Sequence, residues 1–364
     1  MQARLMDQPA DFKRLGINPD QVEPWEEARR EPPAPGHNEV WYFDATFADG
    51  SKSVVGFRPK DPAKMATATD SPNVNIMLTT PNGATRSDFH YFTAAEATTG
   101  TTVGCDLQYG TDTAKGDFKT YDIHVAPTNG VGCDLHYEAL TAPFRQGTGI
   151  VAFGDHDEDH HTDLAVPKNK VTGTLTYDGV AHQVTGLGYH DHQWMTTNPI
   201  SLYHHWLWGR MYTNRYTVYI YDFVAAQRYG FAQLPMFGLL DNETGNLLFE
   251  TEGQFTLAKT LSRQPQLKRD FPKNSHYVFT NADGASVDLA ITWQDELEVR
   301  DMYTNLPASA KQQFDAIGAQ PAYMRYYAKG TVSYTDATGR QTTSRGDMIY
   351  EYAYLGKPDP GAHI

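Results

Sequence analysis

The sequence predicts an all-β protein, a sandwich or barrel, and three observations carry that expectation. From Val40 onward, short runs rich in Val, Ile, Tyr, Phe and Thr are separated by turn residues. The turns include Asp49-Gly50, Asn82-Gly83, Asn129-Gly130, Asp178-Gly179 and Asp283-Gly284, dipeptides that tolerate the positive φ of type I′ hairpins. Helical character is confined to Leu306–Ile317, with Pro307 near its start and Ala, Lys and Gln through it. No glycine-rich phosphate loop is present, so the doubly wound nucleotide-binding folds have no support.

Taken in order, residues 1–36 are polar and Pro-rich, ending Glu31-Pro32-Pro33-Ala34-Pro35-Gly36. They lack core periodicity and read as an N-terminal arm. A length of 364 residues allows two or three domains, and we place β-domains at 37–198 and 199–364. Val103-Gly104-Cys105-Asp106-Leu107-Gln108-Tyr109 is echoed by Val131-Gly132-Cys133-Asp134-Leu135-His136-Tyr137. The spacing is too short for a domain duplication and suggests two similar strands of one sheet. The acidic run Asp155-His156-Asp157-Glu158-Asp159-His160-His161 has no hydrophobic framing and reads as a solvated loop. Val171–Gly179 reads as a strand and turn feeding the densest segment, Gly186-Leu187-Gly188-Tyr189-His190-Asp191-His192-Gln193-Trp194. His204-His205-Trp206-Leu207-Trp208-Gly209-Arg210 and Tyr216–Phe223 follow it.

Composition narrows the function classes. With 30 Lys and Arg against 44 Asp and Glu the net charge is −14, which disfavours nucleic acid and anionic lipid as partners. Two cysteines, Cys105 and Cys133, exclude a disulfide framework and a multi-Cys zinc module. They read as buried free thiols, able to pair only if their strands are oxidised neighbours. No run approaches the roughly 20 apolar residues of a membrane helix. The first residues lack the apolar core of a signal peptide, so a cytoplasmic location is expected. A mature secreted chain would look the same, and only on that route would Asn242-Glu243-Thr244 be a glycosylation acceptor.

Several motifs together resemble the family of carotenoid 1,2-hydratases, AttH-like proteins, fungal kievitone hydratase and lipocalin-like Diels–Alderases. They are the Glu39-x-Trp41-Tyr42-Phe43-Asp44 run, the Val171-x-Gly173-Thr174-Leu175…Asp178-Gly179 hairpin and the Gly188-Tyr189-His190-Asp191-His192-x-Trp194 box. The Trp206-x-Trp208-Gly209-Arg210 strand, Gly330-Thr331-Val332 and Arg345-Gly346-Asp347…Tyr350-Glu351-Tyr352 complete the pattern. The resemblance covers about residues 37–356 and is nearest the kievitone hydratase branch. Met195 stands where the family usually has Gly. The resemblance implies two β-domains, the second lipocalin-like (calycin-like), with a ligand cavity in or between them, and it calls for no cofactor or metal. His192-x-Trp194 matches the His-x-Trp half of a constellation proposed for carotenoid hydratases. The Tyr-x-Asp half falls one residue out of step at Tyr219-Ile220-Tyr221-Asp222.

The leading expectation is a cofactor-independent hydratase acting on a C=C bond of a hydrophobic isoprenoid, prenylated or polyene substrate. Protonating such an alkene needs a carboxylic acid kept neutral by burial, aromatic faces to stabilise the cation and a base for the incoming water. Asp191, Glu39, Asp222 and Glu351 are the acid candidates, and His192 and His205 the base or orienting candidates. Trp194, Trp206, Trp208, Tyr219 and Tyr221 could line the cation, with Trp41, Arg210 and Glu351 as further substrate contacts. Bland readings compete. The aromatic residues could be core, Glu39 and Glu351 could satisfy buried backbone groups, Asp191 could anchor its flanking histidines, and Arg210 could pair structurally. The rival classes are a pericyclase or cyclase of the Diels–Alderase type and a non-catalytic ligand carrier. A zinc site of His190 and His192 with His204 or His205 is a further alternative.

Side-chain alternation sets the faces. If residues 189–194 are extended, His190, His192 and Trp194 share one face, and Tyr189, Asp191 and Gln193 the other. His204, Trp206, Trp208 and Arg210 share a face, as do Thr217, Tyr219 and Tyr221. Because Trp194 should line an apolar cavity, His192 is expected to touch ligand more directly than Asp191.

Overall fold

The computed structural model describes residues 1–362. The chain divides into two compact units. The first holds residues 6–150 and 159–198; the second holds residues 1–5, 151–158 and the chain from Pro199 onward. Each is built on a curled antiparallel sheet, as the all-β, lipocalin-like expectation requires. Among the described residues no helix is long and apolar enough to cross a membrane.

In the first unit the strand order is Thr85–Tyr91, Asn73–Thr79, Lys52–Arg58, Asn38–Phe47, Val180–Met195, Asp159–Tyr177, Gly132–Ala139, Thr120–Val125, Asp112–Gly116, Cys105–Tyr109, Ala97–Thr99. Period-two alternation makes the core. Trp41, Phe43, Val55, Phe57, Val74, Ile76, Tyr121, Tyr137, Leu164 and Val166 point to one side and are fully or almost fully buried. The echoed segments are two strands of this one sheet, separated by two others. Cys105 and Cys133 are both buried and free.

The turn chemistry is narrower than the dipeptides suggest. Asp178 and Gly179 both have positive φ, 53° and 76°, in a two-residue link of type I′ character between Tyr177 and Val180. At the other four dipeptides only the glycine is left-handed, in longer loops.

In the second unit the order is Leu247–Glu250, Gln233–Asp241, Tyr216–Ala225, Tyr203–Thr213, Gln341–Gly356, Ala319–Thr335, Ser286–Asp301, Arg269–Thr280, Phe255–Gln264. Its core includes Leu207, Ile220, Phe237, Tyr277, Tyr326 and Tyr352. Ala3–Leu5 pairs with Val151–Phe153 in this unit. The expected helix is present as Ala308–Ala316.

Two expectations need correction. Residues 6–36 do not behave as an arm outside the core. Pro9–Leu15 is a helix and Pro24–Glu27 a 3-10 turn, and Glu26, Glu27 and Ala28 are buried. Arg145 holds the segment, donating to Glu26 Oε2 at 2.7 Å and to the carbonyls of Asn18 and Gln21. A polar, Pro-rich segment can be core when its charges find buried partners, which periodicity cannot reveal. The acidic run is likewise only partly a loop. Asp159 opens a long strand, His160 contacts Glu31 at 2.9 Å, and His161 is buried against Gln193.

Candidate active site

The box strand Val180–Met195 lies between Asn38–Phe47 and Asp159–Tyr177. Its alternation holds through the box, so the two faces carry different chemistry.

On the core face, Trp41 stacks on His192 with ring centroids 4.3 Å apart, and Trp194 lies 4.7 Å from the same imidazole. His192 Nε2 meets Glu39 Oε1 at 2.7 Å. Glu39 also accepts the Arg30 and Glu31 backbone N–H groups at 2.8 and 3.1 Å, so the backbone-satisfying role foreseen for it is real. Burial pushes the Glu39 carboxyl up to about 8 and pulls His192 down to about 3. Both side chains are therefore neutral at pH 7, a carboxylic acid against an imidazole that carries a single N–H.

His190 stacks on Phe43 at 4.2 Å. Its Nδ1 lies 2.9 Å from the Tyr42 carbonyl, and its Nε2 lies 2.8 Å from Glu27 Oε1. A carbonyl can only accept, so Nδ1 carries hydrogen. Both nitrogens are thereby occupied. Among the described residues no group of three or more His, Cys, Asp or Glu is arranged to hold a metal ion. Glu27 is a site residue that sequence reasoning missed. It comes from the supposed arm, and no local pattern marks it.

On the opposite face stand Tyr189, Asp191 and Gln193. Asp191 is 3% exposed. The Tyr189 hydroxyl donates to its Oδ2 at 2.8 Å, while Oδ1 is buried without a hydrogen-bond partner. Burial, and then the charge of Asp163, hold the Asp191 carboxyl well above the usual range. Asp163 reaches this face because it pairs across the strands with Gln193, one step from the Ala165–Asp191 pair. Tyr42 stands directly opposite Asp191 on the other neighbouring strand.

The remaining candidates belong to the second unit. Trp206, Trp208 and Arg210 alternate on one strand, and the Arg210 guanidinium lies 5.7 Å from the Trp208 ring. Tyr219, Tyr221 and Phe223 run along the next strand, with Tyr221 and Phe223 stacked at 4.3 Å. His204 leaves the expected row. A register shift between Tyr203 and His205 intervenes, and His204 instead contacts core Tyr354 and, through Nδ1, His205 Nδ1 at 2.8 Å. Asp222 faces the core, held by the Tyr277 hydroxyl at 2.7 Å and by Gln233 at 2.8 Å. Glu351 takes Arg325 on one oxygen at 3.0 and 2.6 Å. Burial holds the Glu39 and Asp191 carboxyls protonated. Glu39 is engaged on both oxygens, whereas Asp191 keeps one oxygen open.

Residues 13–256 match the family model described as Diels-Alderase-like. No curated protein matches the sequence. Among solved structures the chain is similar to an AttH-type protein from Nitrosomonas europaea, at 15% identity, TM-score 0.58, covering 92% of this chain and 98% of that one. It is similar to kievitone hydratase from Nectria haematococca, at 14% identity, TM-score 0.54, covering 92% and 94%. It is also similar to CghA, at 12% identity, TM-score 0.61, covering 99% and 100%; CghA has also been solved with Sch210972. At these identities the likeness is one of fold.

Proposed function

The chain belongs to the Diels-Alderase-like family, and from that premise we propose that it is a cofactor-independent hydratase of a hydrophobic alkene, with Asp191 as the proton donor. One observation carries the reading: Asp191 is a buried carboxyl held protonated, hydrogen-bonded by Tyr189 and Gln193, with no hydrogen-bond partner on Oδ1. Loss of solvation for its ionised form makes this carboxyl a weaker acid than in water, so it keeps its transferable proton at neutral pH, and the carboxylate it becomes then faces the developing cation across a low-dielectric site. The proton moves from Asp191 to one alkene carbon, the other carbon becomes cationic, and water adds to it. Asp163, whose charge already raises Asp191, is the carboxylate assigned to take the water proton. Pairs of carboxyls pushed apart in this way divide acid and base roles.

In this reading His192 is not the more direct ligand contact. It is sealed between Trp41 and Trp194 and positions Glu39 and the box strand.

A second reading rests on the same oxygen. A protonated Asp191 with Tyr189 behind it is also a hydrogen-bond donor for a carbonyl on a folded polyene. Polarising that carbonyl would speed a cyclisation without proton transfer, in keeping with the family's description. Mass spectrometry of products from prenylated phenols, linear terpenoids and polyenes separates the two. The gain of one water supports the hydratase, and an isomer of unchanged mass supports the cyclase. Binding without any product overturns both and leaves a carrier.

A further inference from the structure

The Asp191 face continues beyond the box strand as an unbroken row set by register. Asp191 is opposite Tyr42, Tyr42 opposite Gly56, Gly56 opposite Asn75, and Asn75 opposite Phe89. Four strand spacings make this row about 19 Å long. Two residues along, Arg58 is opposite Asn73, and Asn73 opposite Tyr91. The alternate residues Trp41, Val55, Val74 and Ile76 are core, so Tyr42, Gly56, Arg58, Asn75, Phe89 and Tyr91 share the side away from it.

Burial falls along the row. Asp191 is buried, Tyr42, Arg58 and Asn75 are half-buried, and Phe89 and Tyr91 are 57% and 65% exposed. The two exposed rings lie nearly parallel, 15° apart, with centroids at 6.4 Å. Two large, nearly parallel aromatic rings open to solvent on one strand form an apolar platform rather than scattered surface residues.

Arg58 is the telling residue. Half-buried arginines normally pair with a carboxylate. Among the described residues the Arg58 side chain makes one hydrogen bond, from Nη1 to the neutral Asn75 Oδ1, and no ion pair. The carboxyl that would act on it most if ionised is Asp191, and burial holds that carboxyl protonated. Gly56 makes room for this contact: a Cβ there would lie 2.6 Å from Asn75 Oδ1 and 2.9 Å from Arg58 Nη1. The face thus contains a preset cation flanked by amides, midway between a carboxylic acid and an aromatic platform.

We infer that the substrate is an amphipathic acid, with an anionic group bound by Arg58 and Asn75 and an apolar chain lying along the row between Asp191 and the Phe89–Tyr91 platform. This substrate class rests on the reading of Asp191 as the chemical end of the face. Arg58 supplies charge-assisted hydrogen bonds to the anion. Phe89 and Tyr91 supply apolar contact to the chain end and carry no preference for the charge.

The test titrates trans-parinaric acid and its methyl ester into the full-length protein at pH 7.5, reading the rise in probe fluorescence on apolar binding. The acid is expected to bind about tenfold or more tightly than the ester, the scale of a charge-assisted hydrogen bond. Arg58→Gln should bring that ratio to about one, by weakening the acid far more than the ester, in a protein that still melts cooperatively. Arg58→Lys should keep a preference for the acid, which decides the matter if Arg58→Gln folds poorly. Phe89→Ala should weaken both probes by the same factor. Equal affinities in the parent, no saturable binding of either probe, or a ratio indifferent to Arg58→Gln in a folded protein each overturn the assignment. The ratio is read without turnover, so it fails or stands separately from the product analysis that tests proton donation.

Discussion

The Glu39–His192 pair makes the stability of the first unit depend on pH in a way that can be worked out in advance. Glu39 has its folded value raised from 4.5 to about 8, and His192 has its folded value lowered from 6.5 to about 3. A raised carboxyl gives stability that is complete below its unfolded value and lost as pH rises toward its folded value. A lowered histidine does the reverse. Within the pair, from pH 3 to 4.5 only the histidine differs between states, so its contribution to stability rises by about 1.4 kcal/mol per pH unit. From 4.5 to 6.5 the two slopes cancel. From 6.5 to 8 only Glu39 differs, and stability falls by about 2 kcal/mol in all. Glu39→Gln replaces the protonated acid with a neutral group of the same shape. It should remove Glu39's share of the alkaline fall, about 2 kcal/mol between pH 6.5 and 8, leave the share of Asp191, whose carboxyl burial also raises, and keep the acid limb. The assay is native-state hydrogen exchange of peptides from Val180–Met195, corrected for intrinsic rates, which reports opening of this unit alone. The same slope between pH 6.5 and 8 in the parent and in Glu39→Gln would refute the assignment of a neutral, buried Glu39.

Other outcomes follow from the same contacts. Glu27→Ala strands His190 Nε2 in the core and should cost about 3–5 kcal/mol, the usual penalty for breaking a buried pair; a loss under 1 kcal/mol in urea unfolding would show that the pair is not structural. Deleting residues 1–31 removes Glu26, Glu27 and both backbone donors to Glu39, so the first unit should lose its cooperative melt, and an unchanged melt would restore the view of this segment as a dispensable arm. Asp191→Asn should lower turnover by about 10²–10⁴-fold with the fold retained; parent-like turnover with a verified hydrated product would move the acid role elsewhere. Gly56→Ala should displace the Arg58–Asn75 contact, lowering acid-probe affinity more than ester-probe affinity, and an equal change in both would separate Gly56 from the anion subsite.

Much of the fold was legible because it rests on period-two alternation and turn residues, both local. The two faces of the box strand followed from the same alternation, and so did the division between His192 and Asp191. Which face is packed core was not legible. The expectation for His192 came from its shared face with Trp194, and that face proved to be the packed core, with Trp41 stacked on the imidazole. Glu27 could not be found from sequence because its partner His190 lies 163 positions away. The same holds for Asp163, whose effect on Asp191 depends on a hairpin register across 28 residues of chain separation. Arg58 carried a usable signal: it alternates with Val55 and Phe57 on the face shared with Gly56, an outward cation beside a missing side chain. His204 was misplaced because a register shift is invisible to simple alternation.

The account depends most on Asp191 holding its proton at neutral pH. Infrared difference spectroscopy of the parent against Asp191→Asn at pH 7, in H₂O and D₂O, tests this directly, since Glu39 contributes equally to both proteins. The account predicts that the parent shows an additional protonated-carboxyl C=O band that shifts on deuteration and is absent in Asp191→Asn. A difference spectrum carrying only the carboxylate stretch would contradict it, because an ionised Asp191 could neither protonate an alkene nor donate a hydrogen bond to a substrate carbonyl.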